Sequence, residues 1–196
     1  EVQRVAATLG AGDSYRLGGA MTEGAVRSLS LSRYRVLYFA THGLLPQELA
    51  CQSAPALVLT PPRTDPDSRA EDGLLDASEI AELKLDADLV VLSACNTGGS
   101  DGRGGGGESL SGLTRAFFYA GARALLVSHW QVDSRATTQL MTELFTRASS
   151  IGLRQASEAL RHAQVTLIQR DATSHPFFWG AFSLVGDGRR LTSPSG

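Results

Sequence analysis

Two residues in this chain could do covalent chemistry together. His42 stands near the end of Tyr38-Phe39-Ala40-Thr41-His42-Gly43, and Cys95 follows the run Val90-Val91-Leu92-Ser93-Ala94 and leads into Asn96-Thr97-Gly98. A thiol beside an imidazole is the minimal set for nucleophilic catalysis, because the base removes the proton and leaves the reactive thiolate. Cys95 is then the nucleophile, and His42 the general base that later protonates a leaving amine. Taken alone, a free cysteine at a strand end reads as a small buried hydrophobe, and a strand-end histidine as a hydrogen-bonded core residue. The matched settings shift that balance, as does the polar turn that exits the strand at Cys95. Gly43 adds to it, since a residue without a side chain lets its backbone N–H approach a substrate oxygen. No acidic third member is evident, so the residues read as a dyad.

The elements that must position these groups follow from periodicity. Tyr34 to Ala40 and Leu89 to Ala94 are continuous apolar runs, the pattern of parallel strands buried on both faces. Ligands and catalytic groups collect beyond the carboxyl ends of such strands. Further strands are expected at Ala56 to Thr60, Ala124 to Ser128 and Phe182 to Val185, with a short one around Tyr15 to Leu17. Helices are expected from near Thr22, from Asp76 to Leu83 behind an Asp76/Glu79 capping box, around Leu110 to Ala120 ahead of Gly121, and over Ala136 to Ala148 and Leu153 to Gln169. Strands alternating with helices predict an α/β fold with a mainly parallel sheet covered on both faces. Residues 61–72 read as a polar surface loop, and 98–108, rich in glycine, as a flexible one.

Four segments carry a family resemblance: Ala40-Thr41-His42-Gly43, Leu92-Ser93-Ala94-Cys95-Asn96-Thr97-Gly98, Leu126-Val127-Ser128-His129-Trp130-Gln131-Val132-Asp133 and His175-Pro176-Phe177-Phe178-Trp179-Gly180-Ala181-Phe182. In this order they resemble a CHAT domain, the caspase-like domain related to separase that often accompanies TPR repeats. A histidine roughly 50 residues upstream of the cysteine is also the caspase arrangement. The resemblance implies a caspase-like three-layer sandwich and a cysteine endopeptidase working through a thioester. It implies an oxyanion hole formed by the backbone N–H groups of Gly43 and Cys95, and a pocket for the side chain before the scissile bond near Asp133. A carboxylate there would favour Arg or Lys, although Asp133 is better read as the cap of the helix that starts near Ser134, and Ser134 stands where family members often carry a second Asp. The resemblance also implies strands upstream of Glu1 and gating by other domains or by partner proteins, TPR repeats among them. The alternative is a non-catalytic caspase-like module that binds a peptide or partner. Acyl chemistry on a non-peptide substrate is a third option.

The composition bounds the rest. With 196 residues, 42% of them hydrophobic, the chain is expected to form one domain over 1–196, the C-terminal part of a larger protein. A net charge of -2 with scattered basic residues, Lys84 the lone lysine, argues against nucleic acid as a partner. No run is long enough for a membrane span or signal peptide. Cys51 and Cys95 are too few for a disulfide scaffold, and a catalytic thiol must stay reduced, which points to the cytoplasm. No cofactor is expected. His42, Cys51, Cys95, His129, His162 and His175 show no close pair at zinc-ligand spacing, and the glycine-rich segment lacks the Gly-Lys-Ser/Thr ending of a phosphate loop. The partner expected is therefore a protein or peptide substrate.

Overall fold

In the computed structural model the described residues are 1–12, 14–44, 46, 53–61, 71–93, 106–130 and 133–186, with the side chains of 106–111 and 154 outside the description. A four-stranded sheet organises them. Strands β1 (Val36–Phe39), β5 (Leu89–Leu92), β6 (Ala124–Ser128) and β7 (Phe182–Gly186) lie in that spatial order, the first three parallel and β7 antiparallel to β6. A second, smaller sheet is antiparallel: β2 (Gly43–Leu44), β3 (Ala56–Val58) and β4 (Leu74–Asp76).

Strand alternation divides the core in two. Leu37, Phe39, Val90, Leu92, Leu125 and Val127 point to one face, where α2 (Glu23–Ser28), α3 (Ala77–Glu82), α4 (Gly106–Ala120) and the small sheet pack on them through Val26, Ile80, Phe117 and Leu57. Leu89, Val91, Ala124 and Leu126 point to the other face, against α1 (Val2–Thr8), α5 (Ser134–Ile151) and α6 (Ala156–Ile168) through Val5, Leu140, Phe145, Leu160 and Leu167. Every residue of β5 and β6 is buried. That is why they read as unbroken apolar runs rather than as alternating ones. Truncating the fully buried Phe117 or Phe145 to alanine costs about 3–5 kcal/mol. The α/β architecture with helices on both faces is the one expected.

Local signals account for several boundaries. The Asp76 side chain accepts from the Glu79 N–H at 2.9 Å while Glu79 accepts from the Asp76 N–H at 2.9 Å, the reciprocal box expected at α3. The Thr22 hydroxyl caps α2 by accepting from Ala25 N–H at 3.1 Å. Gly121, at φ 111°, ends α4 in a conformation that L side chains avoid, and a Cβ there would sit 2.4 Å from the Leu85 carbonyl oxygen.

Two expectations change, and one further helix is present. Tyr15 to Leu17 is not a strand, because among the described residues it has no ladder partner. The segment after His175 forms a short helix, α7 (Pro176–Trp179), with Pro176 at its first position and His175 Nδ1 accepting from the Phe177 N–H at 3.2 Å. Helix α4 starts at Gly106, so 106–108, expected as loop, are helical; 98–105 lie outside the described residues, as does most of the polar loop expected at 61–72.

Candidate active site

The parallel strands β1 and β5 deliver two chain segments to one end of the sheet. Their register runs from Val36 opposite Leu89 to Phe39 opposite Leu92, and pairing continues one step further, with Ser93 N–H donating to the Phe39 carbonyl at 2.9 Å. His42 follows on the first segment, and Ser93 is the last described residue of the second, two positions before Cys95 in the chain. Cys95 itself lies outside the described residues, as do Cys51, Gln131, Val132 and residues 94 and 96–98.

His42 is held by its backbone and presented by its side chain. Its carbonyl accepts from Val58 N–H at 2.8 Å, and the neighbouring Thr41 hydroxyl donates to the Val58 carbonyl, which docks the segment onto β3. The residue is exposed and borders a cavity of about 210 Å³ at the carboxyl end of the sheet. Gly43 pairs with Leu57 in the antiparallel β2–β3 ladder. Opposed pairs in such a ladder alternate between bonded and non-bonded, and His42 opposite Val58 is the bonded one. Gly43 therefore occupies the non-bonded position, with its N–H directed away from β3 and unused by the ladder.

The cavity is completed by residues that spacing did not single out. Ser93 borders it on the β5 side, Ser128 at the end of β6, Ser134 and Thr137 from the first turns of α5, and Trp130 and Phe182 as aromatic walls. Trp130 is oriented by its indole N–H, which donates to the Phe177 carbonyl at 3.1 Å. His129, beside it, bonds Ser183 Oγ at 2.6 Å through its ring and faces the antiparallel β7.

Glu1 also lines this cavity. Its side chain leaves the N-cap of α1 without capping it, and one oxygen, Oε1, accepts from the Ser93 hydroxyl at 2.6 Å and from the Tyr38 hydroxyl. Tyr38 is packed against Phe145 with ring centroids 6.1 Å apart. Burial, reinforced by the adjacent Glu1 carboxylate, pushes the phenol well above its ordinary value, so it stays a neutral donor. Nothing in the sequence pattern marked Glu1, which lies far from Ser93 along the chain and meets it only because α1 packs beside β1 and α5.

Asp133 serves as the cap of α5: Oδ1 accepts from Arg135 N–H at 2.9 Å and from Ala136 N–H at 3.0 Å. It is exposed and is not among the described residues bordering the cavity, whereas the adjacent Ser134 is. Of the four residues singled out from sequence, His42 thus borders the cavity, Gly43 follows it in the β2–β3 ladder, Asp133 precedes the cavity-lining Ser134, and Cys95 lies outside the described part.

At the opposite end of the sheet the charges are structural. Asp88, with only 7% of its side chain exposed, accepts from Arg35 Nε at 2.7 Å and from Arg123 Nη1 at 3.2 Å, and Asp86 pairs with both arginines. These bonds clamp the amino ends of β1, β5 and β6.

Comparison with known proteins agrees with this architecture. The family model of the CHAT domain matches residues 1–187. Tetratricopeptide repeat protein 28 of Mus musculus is 37% identical over 122 residues, which cover 62% of this chain and 5% of that protein. Its counterpart of the same name from Homo sapiens is 35% identical over 122 residues, with the same shares. The matched region is thus about a twentieth of the length of these relatives. Among the described residues no helix is long and apolar enough to cross a membrane.

Proposed function

Since the chain belongs to the CHAT domain family, whose fold is caspase-like, we propose that it is a cysteine endopeptidase acting on a protein substrate through Cys95 and His42. The observation that carries this reading is the pairing of β1 and β5 up to Phe39 and Ser93, which brings the segments bearing the two residues to one end of the sheet, where His42 borders a cavity.

In the reaction His42 takes the thiol proton of Cys95, and the thiolate sulfur bonds to the scissile carbonyl carbon while the carbonyl π pair moves onto oxygen. The oxyanion is held by the N–H of Gly43, unused by its ladder, and by that of Cys95. Collapse breaks the C–N bond, and the His42 proton leaves with the amine. Water, deprotonated by His42, then cleaves the thioester and restores the thiol. Tetratricopeptide repeats, named in the relatives' titles, are the regulatory context we propose for this domain.

The experiment is labelling of the intact protein by peptidyl acyloxymethyl ketones, with Cys95→Ala and His42→Ala as controls. Labelling at Cys95 that is lost with His42→Ala is the expected result. A folded protein left unlabelled, both alone and with its partner domains, would overturn the peptidase reading in favour of a caspase-like interaction module.

A further inference from the structure

We propose that Glu1 is the residue that selects a basic side chain, arginine ahead of lysine, immediately before the scissile bond. This rests on the peptidase reading above and extends it to a substrate class. The cavity that His42 borders, about 210 Å³, is smaller than the sites that enclose drug-sized ligands and matches a subsite for one side chain. Glu1 is the acidic residue among the described residues that border it, and no lysine or arginine among them competes for its charge.

The carboxylate is oriented in advance. Ser93 and Tyr38 both donate to Oε1, and Oε2 has no hydrogen bond among the described residues. Ser93, which donates to Glu1, stands two positions before Cys95 in the chain, and on the peptidase reading this sets the carboxylate beside the side chain that precedes the scissile bond. Arginine fits better than lysine because its planar guanidinium can meet the carboxylate edge-on and stack against the Trp130 indole, while a compact ammonium does only the first. The hydroxyl residues Ser134 and Thr137 line the remaining wall. Asp133, the other carboxylate nearby, is turned to α5, where its Oδ1 accepts from two N–H groups, and it is not among the described residues that border the cavity.

The test compares cleavage of fluorogenic peptides that differ only in carrying arginine, its uncharged isostere citrulline, or lysine before the cut. The intact protein should prefer arginine over citrulline by about 100-fold or more in kcat/KM. Glu1→Gln should shrink that ratio at least tenfold, and Glu1→Lys should shift the preference to a peptide with aspartate or glutamate, whereas Asp133→Asn should leave the ratio in place. An arginine preference that survives Glu1→Gln, or collapses in Asp133→Asn, overturns the proposal with the peptidase reading intact. If no variant turns over substrate and Cys95 is never labelled, the peptidase reading fails. Calorimetry of the Cys95→Ala protein with an arginine-containing peptide then decides the site: a tenfold loss of affinity in Cys95→Ala/Glu1→Gln supports it, and equal affinity overturns it. Thermal melts of each variant separate misfolding from loss of recognition.

Discussion

Ser93 N–H donates to the Phe39 carbonyl at 2.9 Å, one step beyond the last paired residues of β1 and β5. The two strands therefore stay zipped to within three residues of His42 and two of Cys95, the residues we propose to carry the chemistry. Active-site chemistry is sensitive to position, since small misplacements cost large factors in rate.

Gly43 offers a direct check on the oxyanion hole. Because its N–H faces away from β3, Gly43→Pro removes the donor without removing a β2–β3 ladder bond. We expect kcat/KM to fall by about 100- to 1000-fold with little change in melting temperature. Steady-state kinetics beside a thermal melt tests this, and an unchanged rate excludes Gly43 as a donor.

Asp133 separates capping from recognition. Asp133→Ala leaves two N–H groups of α5 without their acceptor and should cost about 1 kcal/mol, whereas Asp133→Asn keeps an acceptor and should be close to neutral. Urea denaturation of both variants measures the difference. Equal losses would show that the charge, rather than the cap, is what matters.

Glu23 sets a pH dependence of stability. It is 1% exposed, Oε1 accepts from Gly73 N–H at 2.9 Å, and Oε2 has no hydrogen-bond partner among the described residues. Burial, with help from the Glu79 charge, holds its carboxyl above the ordinary value of 4.5, against the pull of the Gly73 N–H. A raised folded value means that the native state binds the proton more tightly than the unfolded chain. The associated stability is fully present below 4.5 and is lost as pH rises through the folded value. Glu23→Gln should therefore melt higher than the parent at pH 7, with the gap closing below 4.5. Melting curves across that range test it, and a constant gap would remove the titration of Glu23 as its cause.

Asp88 should matter for folding and not for specificity. Asp88→Ala removes the buried carboxylate shared by Arg35 and Arg123 and leaves Asp86 as their remaining partner, which we expect to cost about 1.5–3 kcal/mol. The ratio of arginine to citrulline cleavage should not move, since the cavity lies at the other end of the sheet. A change in that ratio with stability unaltered would show coupling along the strands.

The alternation of strands and helices, the capping box at Asp76 and Glu79, the stop at Gly121, and the setting of His42 at a strand end were legible in the amino-acid sequence, because each depends on neighbours within a few residues. The small antiparallel sheet was only partly visible: β2 and β4 are two and three residues long, too short for a period to register. Helix α7, four residues long, was too short for a helical period to register. The sequence by itself determined which residue types are available for chemistry and which elements carry them. The tertiary structure alone decided that β1 lies beside β5, that Asp133 turns to its helix while Ser134 borders the cavity, and that Glu1 meets Ser93 across 92 positions of chain. The physical reason is that strand order and helix docking come from burying apolar faces that are distant along the chain. Polar partners such as Glu1 and Ser93 are then brought together by that packing and leave no periodic trace of their own.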